Sequence, residues 1–214
     1  FSGGRTSAYM LWRVLQANGG LPTEAVVCFA NTGKEVEATL RFVRDCAEHW
    51  NVPIHWLEYR PTEPGFTIVD FDTVSREGEP FEALIRKRQY LPNPVARSCT
   101  TSLKIRPMHR YLRRLGWTEW DQLIGIRADE QRRVSKIRAR GHSTESTRET
   151  MCMPLADAGV TVQDVTAFWQ AQPFDLDLLT VNGRTLEGNC DLCFLKLRGQ
   201  RLALIKAKPE AAVW

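Results

Sequence analysis

The sequence has no apolar run of the roughly 18 to 20 residues that a membrane-spanning helix needs, and no charged start followed by an apolar leader core. A soluble, cytoplasmic chain with no membrane partner is the expectation. Histidine is scarce: residues 49, 55, 109 and 142 show no metal-ligating spacing, so all four are expected on helix or strand surfaces. Six cysteines, at 28, 46, 99, 152, 190 and 193, are too few and too uneven for a secreted disulfide framework. In a reducing compartment, the clustered ones point to metal or sulfur chemistry. The chain also lacks internal repeats, low-complexity tracts and the G-x-x-x-x-G-K string of a Walker loop. It opens at Phe1 without a methionine and stops at Trp214. That reads as a piece of a longer gene product, the missing part including a strand that feeds the first loop.

What is present is enough for one full α/β domain, residues 1–214, with a buried core but no room for a second large domain. Its 29 basic against 25 acidic residues give a formal charge of +4, which suits an anionic ligand without the block-like basicity of a dedicated nucleic-acid binder. Apolar positions at helical spacing over 8–17 end in a glycine stop, "EAVVCFAN" (24–31) reads as a strand buried on both faces, 39–51 as an amphipathic helix and 53–59 as a second strand. This order calls for right-handed crossovers and a doubly wound, mostly parallel sheet. The stretch 60–94 reads as a long excursion with one short helix near 80–88. Beyond it come a helix over 104–117, a strand from 120 running into a loop with Gly125 and Arg127, and a polar, mobile stretch over 133–150. Thr161 with Asp164 forms a capping box before an apolar helix.

"SGGRTS" (2–7) stands directly before the first helix. Its glycines let consecutive amides point one way, into the positive end of the helix dipole, and Ser2, Thr6, Ser7 and Arg5 add donors and charge. A phosphate, pyrophosphate or sulfate is the natural occupant; a glycine-rich turn with a serine cap is the plain alternative.

The string resembles the PP-loop, SGG-x-D/T-S, of the adenine nucleotide alpha-hydrolase-like superfamily. Four further stretches resemble its sulfonucleotide (PAPS and APS) reductase branch, in order. "FANTGKEVEATLRFV" is similar to that branch's D-T-G element, with Asn31 in place of the aspartate. "CTTSLKIRPM" matches C-C-x-x-R-K-V-x-P-L at Cys99, Lys104, Ile105 and Pro107. "GIRADEQRR" is similar to G-x-R-x-x-E-S-x-x-R, and "MPLADAGVTVQDVTAFW" to P-L followed by T-x-x-D-V-x-x-F/Y. The resemblance spans residues 1 to about 196 and implies a Rossmann-like PP-loop fold. It implies that Ser2, Gly3, Gly4, Arg5, Thr6 and Ser7 cradle phosphates, that Asn31, Thr32 and Gly33 border an adenine nucleotide (ATP or PAPS/APS), and that Lys104 and Arg127 contact phosphate or sulfate. Trp12 or Trp169 could border the adenine. Magnesium, if used, would be held weakly for want of an acid at Thr6.

"GNCDLC" gives Cys190 and Cys193 as C-x-x-C within a C-terminal segment, 186–200. In the resembled iron-sulfur APS reductases a C-C pair at the position of Cys99 joins such a motif to hold a 4Fe-4S cluster. Here Thr100 stands where the second cysteine would be, so Cys99, Cys190 and Cys193 would leave one iron open to sulfur. A structural zinc or simple buried thiols are the alternatives. Cys28 and Cys46 fit packing, and Cys152 a loop. The nucleophilic E-C-G-L/I-H tail of the reductases is absent from the sequence. The expectation is an iron-sulfur enzyme that adenylates and then thiolates an acceptor, with Cys99, Lys104 and Arg127 as catalytic residues. Alternatives are a PAPS/APS reductase with a thioredoxin-like donor and a non-catalytic zinc-stabilised nucleotide or nucleic-acid binding module. A tRNA or DNA acceptor could lie on Arg110, Arg113 and Arg114, and a homodimer is compatible with this reading.

Overall fold

The computed structural model describes residues 1–143, 145–178, 180–181, 184–185, 187–188 and 190–212. The first helix, α1 (Arg5–Asn18), starts directly on the opening loop and ends at Gly19 in the left-handed conformation. It leads to β1 (Val27–Asn31), buried at every position, α2 (Glu37–His49) and β2 (Ile54–Tyr59). β1 and β2 run parallel in a register that sets Asn31 beside Glu58, so their C-terminal ends lie side by side. The crossover through α2 packs Leu40 and Val43 on Phe29 and Trp56, the burial that holds the helix on the sheet.

The excursion after β2 contains more order than its composition predicts. β3 (Phe66–Val69) folds back antiparallel on β2, and α3 (Glu79–Arg88) follows with Pro80 in its first turn. Next, residues Thr100–Ile105 form a π-helix that runs into α4 (Arg106–Arg114). Pro107 has no N–H to donate back into the preceding turn, which accounts for the widened register just before it. β4 (Trp120–Leu123) pairs in parallel with β5 (Glu149–Cys152), separated by α5 (Gln131–Arg140). The expected mobile stretch over 133–150 is therefore mostly helix and strand: Val134 supplies one buried anchor, enough with Ile137 to seat a polar helix on Ile126 and Met153.

Past the short α6 (Pro154–Asp157), α7 (Val162–Gln170) carries the expected capping box, with Thr161 and Asp164 bonded at 2.7 Å. Trp169 and Phe168 pack against Tyr9, Trp12 and Phe42, so these aromatics build core beside α1. Two short strands, β6 (Thr180–Val181) and β7 (Arg184–Thr185), precede α8 (Arg198–Ala207). A cleft of about 600 Å³ separates β1 from β4, lined by Phe1, Leu11, Val27, Met108 and Trp120. The parallel pairs thus stand apart in a Rossmann-like α/β arrangement whose β3 is antiparallel. Among the described residues no helix is long and apolar enough to cross a membrane. His109, expected at the surface, is buried: it meets Glu149 at 2.8 Å, and Trp120 donates to the same carboxylate at 3.2 Å. The expected chain end at Trp214, and Leu186 and Asn189 of the C-terminal segment, lie outside the described residues.

Candidate functional site

The opening loop closes on itself through hydroxyls. Ser2 Oγ donates to Ser7 Oγ at 2.9 Å, and Ser7 Oγ donates to the Gly4 carbonyl at 2.9 Å. Ser7 therefore spends its proton shaping the loop. Gly4 is the N-cap of α1 and offers no side chain to the first-turn amides, and no acid sits in that turn to offset the positive helix end. Gly3 has φ +72°, and a Cβ there would lie 2.6 Å from Thr39 Cγ2. The loop is thus pressed against the start of α2, a contact only glycine permits.

Two other predicted residues behave differently. Arg5 turns outward to Asp175, with bonds of 2.6 and 2.5 Å, and to the Leu176 carbonyl. Arg127 turns inward: its Nη1 donates to Thr6 Oγ1 at 3.3 Å while Asp129 binds it at 2.9 Å. The approach of this segment depends on Gly125, where a Cβ would meet the Ser7 Cα at 2.9 Å. "GIR" and "SGGRTS" therefore form one surface.

At the end of β1, Asn31 is fully buried and donates from Nδ2 to Glu58 Oε1 at 2.8 Å and to the Ser75 carbonyl at 2.9 Å. Its Oδ1 has no hydrogen-bond partner among the described residues. Glu58 also receives the Ser75 amide and hydroxyl, at 2.7 and 2.8 Å. The next residue, Thr32, bonds through its hydroxyl to Glu35 and lies 3.3 Å from Cys190 Sγ. Gly33, at φ +77°, has no room for a Cβ, which would sit 2.9 Å from Gly78 Cα.

Glu35 and Lys104 hold this centre together. Lys104 Nζ binds Glu35 Oε1 at 2.9 Å, and Cys190 Sγ donates to the same oxygen at 3.8 Å. Burial alone would raise the Glu35 pKa, but Lys104 and Thr32 outweigh it and hold the carboxyl below its usual range. Burial works against the Lys104 charge too, and is outweighed by Glu35, Cys190 and Cys99, so the ammonium keeps its proton. Burial first, and Glu35 second, push the Cys190 thiol up to about 12.

The C-x-x-C turn is docked here by a backbone bond from the Asp191 amide to the Lys34 carbonyl at 2.8 Å. Cys193 follows one turn on, and Cys99 sits at the start of the π-helix, packed against Tyr59, Leu84 and Leu103. Cys190 contacts the Glu35–Lys104 pair, while Cys99 adds only a longer-range influence on the Lys104 charge. Among the described residues, however, no three His, Cys, Asp or Glu side chains are grouped as a metal ligand set. Cys28 and Cys46 are buried in the core, as expected. Cys152 ends β5, a strand position rather than the expected loop.

Glu35 and Glu58 escaped the sequence reading. A signal existed for each: Glu58 is the one acid inside an apolar strand, and Glu35 follows a glycine turn at a buried strand end.

A family model described as "Phosphoadenosine phosphosulfate reductase domain" matches residues 1–183. The chain is 31% identical over 210 residues to the "Uncharacterized nin region protein ORF290" of Escherichia phage lambda, covering 92% of this chain and 64% of that protein. It therefore spans about two thirds of that relative's length. Its fold is similar to the crystal structure of phosphoadenylyl-sulfate (PAPS) reductase from Candida auris, solved as a phosphate complex. That likeness has a TM-score of 0.51 at 15% identity and covers 83% of this chain and 72% of that one.

Proposed function

Because the chain belongs to the phosphoadenosine phosphosulfate reductase domain family, we propose that it binds an adenine nucleotide on its opening loop and carries out sulfur transfer at the thiols around Lys104. The observation that carries this reading is the Lys104–Glu35–Thr32–Cys190 centre at the end of β1, where an open α/β sheet places its ligands. Ser2, Gly3, Gly4, Thr6 and Ser7 shape or supply the amide cradle for phosphate oxygens, with Arg5 as a brace to Asp175. Arg127 adds charge beside Thr6, where a phosphate grows more negative as a bond breaks. Asn31, Thr32 and Gly33 border the nucleotide, and Asn31 Oδ1 accepts from a nucleotide N–H or hydroxyl.

In this reading ATP adenylates an acceptor oxygen and pyrophosphate leaves. Hydrosulfide delivered by a separate sulfur donor and held at the thiol centre then forms the bond to the acceptor carbon as the carbon–oxygen bond breaks and AMP departs. Lys104 steadies the negative charge of thiolate and phosphate. A tRNA or DNA acceptor, magnesium on the phosphates and a homodimer belong to the same proposal.

In its finer form the proposal gives Cys99, Cys190 and Cys193 to a 4Fe-4S cluster, which requires these thiols, not grouped as a ligand set among the described residues, to draw together around it. Thiolates suit iron, and the Lys104 charge offsets theirs. The cost falls on Cys190, which must lose a proton beside the Glu35 carboxylate. When bound, such a cluster would supply an iron able to take sulfur as a Lewis acid.

The family relationship favours a second reading, reduction of PAPS or APS to sulfite with electrons from a thioredoxin-like donor. Anaerobic purification followed by iron, sulfide and zinc analysis, with calorimetric titration of ATP and PAPS, separates the two. Iron with sulfide and ATP binding support thiolation. PAPS binding with sulfite release supports reduction, and about one zinc per chain without turnover leaves a binding module. Gly4 has extended dihedrals and open space, so Gly4→Asp should fold while losing at least about tenfold in nucleotide affinity. Undiminished affinity would remove the loop from the site.

A further inference from the structure

We propose that Lys196 is the positioning residue of the C-x-x-C turn: its ammonium buckles the segment that carries Cys190 and Cys193, and so presents Cys190 to the Glu35–Lys104 pair. The inference deepens the reading above and rests on it for the part Cys190 plays in sulfur transfer.

Lys196 stands two residues before α8 and is only 9% exposed, which is uncommon for a lysine. Its Nζ donates to the Gly188 carbonyl at 2.5 Å and to the Glu187 carbonyl at 3.5 Å. Burying an ammonium is costly unless acceptors meet it, and both of these are main-chain oxygens. A side chain from beyond Cys193 thus grips the backbone ahead of Cys190, which joins the two ends of the segment holding both thiols.

The turn between those ends needs such a grip. The Lys196 amide donates to the Cys193 carbonyl at 2.9 Å, but the Cys193 amide reaches the Cys190 carbonyl only at 3.3 Å. Leu192, between the cysteines, has φ +45°, a left-handed conformation that costs any residue with a Cβ. Lys208, just past α8, pairs with Glu187 at 3.5 Å, yet it is 53% exposed and that pair adds little. The closure therefore falls to Lys196.

The turn so held is also aimed. The Asp191 amide docks on the Lys34 carbonyl at 2.8 Å, and Cys190 Sγ lies 3.3 Å from Thr32 Oγ1 and 3.8 Å from Glu35 Oε1. These contacts fix the outside of the turn against the end of β1, and Lys196 fixes it from within. Without the ammonium, the strained turn can relax and carry Cys190 away from Glu35.

The protein's own cysteines supply the test. Iodoacetamide labelling of the full chain at one pH, followed by peptide mass spectrometry, gives a rate for each thiol. In Lys196→Met, which keeps the stem and loses the donors, Cys190 should react about tenfold faster, the value of one hydrogen bond from a charged group expressed as local opening. Cys28 and Cys46 in the core should stay protected, and Cys99, at the start of the π-helix, should keep its rate. Lys196→Arg, which retains charge and donors, should bring Cys190 most of the way back. An unchanged Cys190 rate in Lys196→Met overturns the proposal, as does a rate in Lys196→Arg equal to that faster one. Should Lys196→Met open Cys28 and Cys46 too, the milder Lys196→Gln decides: acceleration confined to the C-x-x-C thiols supports the role, and equal acceleration at every thiol overturns it. No nucleotide or turnover enters the measurement, so a chain inactive in sulfur transfer would count against the proposed function alone.

Discussion

Lys104 Nζ stands 2.9 Å from Glu35 Oε1, and this pair joins the π-helix to the loop that ends β1. The Glu35 side chain is 2% exposed, so removing its partner strands a carboxylate. Lys104→Met should therefore cost roughly 3 kcal/mol in urea unfolding, the low end for a broken buried pair because the lysine itself is partly open to water. Adding Glu35→Gln should recover part of that loss. Equal stability for Lys104→Met and the unaltered chain would show that the pair is not coupled to folding.

The same pair sets a pH dependence. The Glu35 carboxyl is held below its ordinary 4.5, so its contribution is full above that value and disappears as pH falls through the lower folded value. Lys104 is raised, so its contribution is full below 10.5 and is lost only as pH rises beyond that, through the folded value. Urea midpoints should thus change little on account of this pair from pH 6 to 9 and fall below pH 4. Glu35→Gln should make the acid fall shallower, and an identical acid limb would refute the assignment.

Asn31 explains one departure from the family string. Its amide donates to Glu58, whereas an aspartate would set two carboxylates against each other in a buried place. Asn31→Asp should destabilise the chain by about 2 to 4 kcal/mol, by lost donors and like charge. Glu58→Gln in the same chain should restore much of it. A melting temperature unmoved by Asn31→Asp would contradict the hydrogen-bond assignment.

Gly125→Ala tests the contact between the two loops. The added methyl has backbone on its far side, so the 125–127 segment must withdraw from Ser7 and carry Arg127 off Thr6. Nucleotide affinity should drop by about tenfold, the value of one charged hydrogen bond, while AMP binding in Arg127→Ala falls by a similar factor. Full affinity in both variants would separate Arg127 from the phosphates.

The local elements were legible because they follow from nearest-neighbour rules. The buried strand ending at Asn31, the helix after the glycine loop and the Thr161–Asp164 box each declare themselves within a dozen residues. Where the pattern was thin, as in α5 with its single buried Val134, the polar composition hid a helix that tertiary contact stabilises. His109 misled for the same reason: its partner, Glu149, is remote in sequence and invisible until β5 pairs with β4.

On its own, the sequence determined the α/β class and the positions of the glycine loop and the thiols, since glycine spacing, hydrophobic period and cysteine position are written along the chain. Only the tertiary structure decided that Arg5 faces Asp175 while Arg127 faces the loop, and that Glu35 keeps Lys104 charged beside Cys190. Charges and donors have no direction in a sequence. They acquire one when burial removes water and leaves each group with whichever partner the fold has brought near.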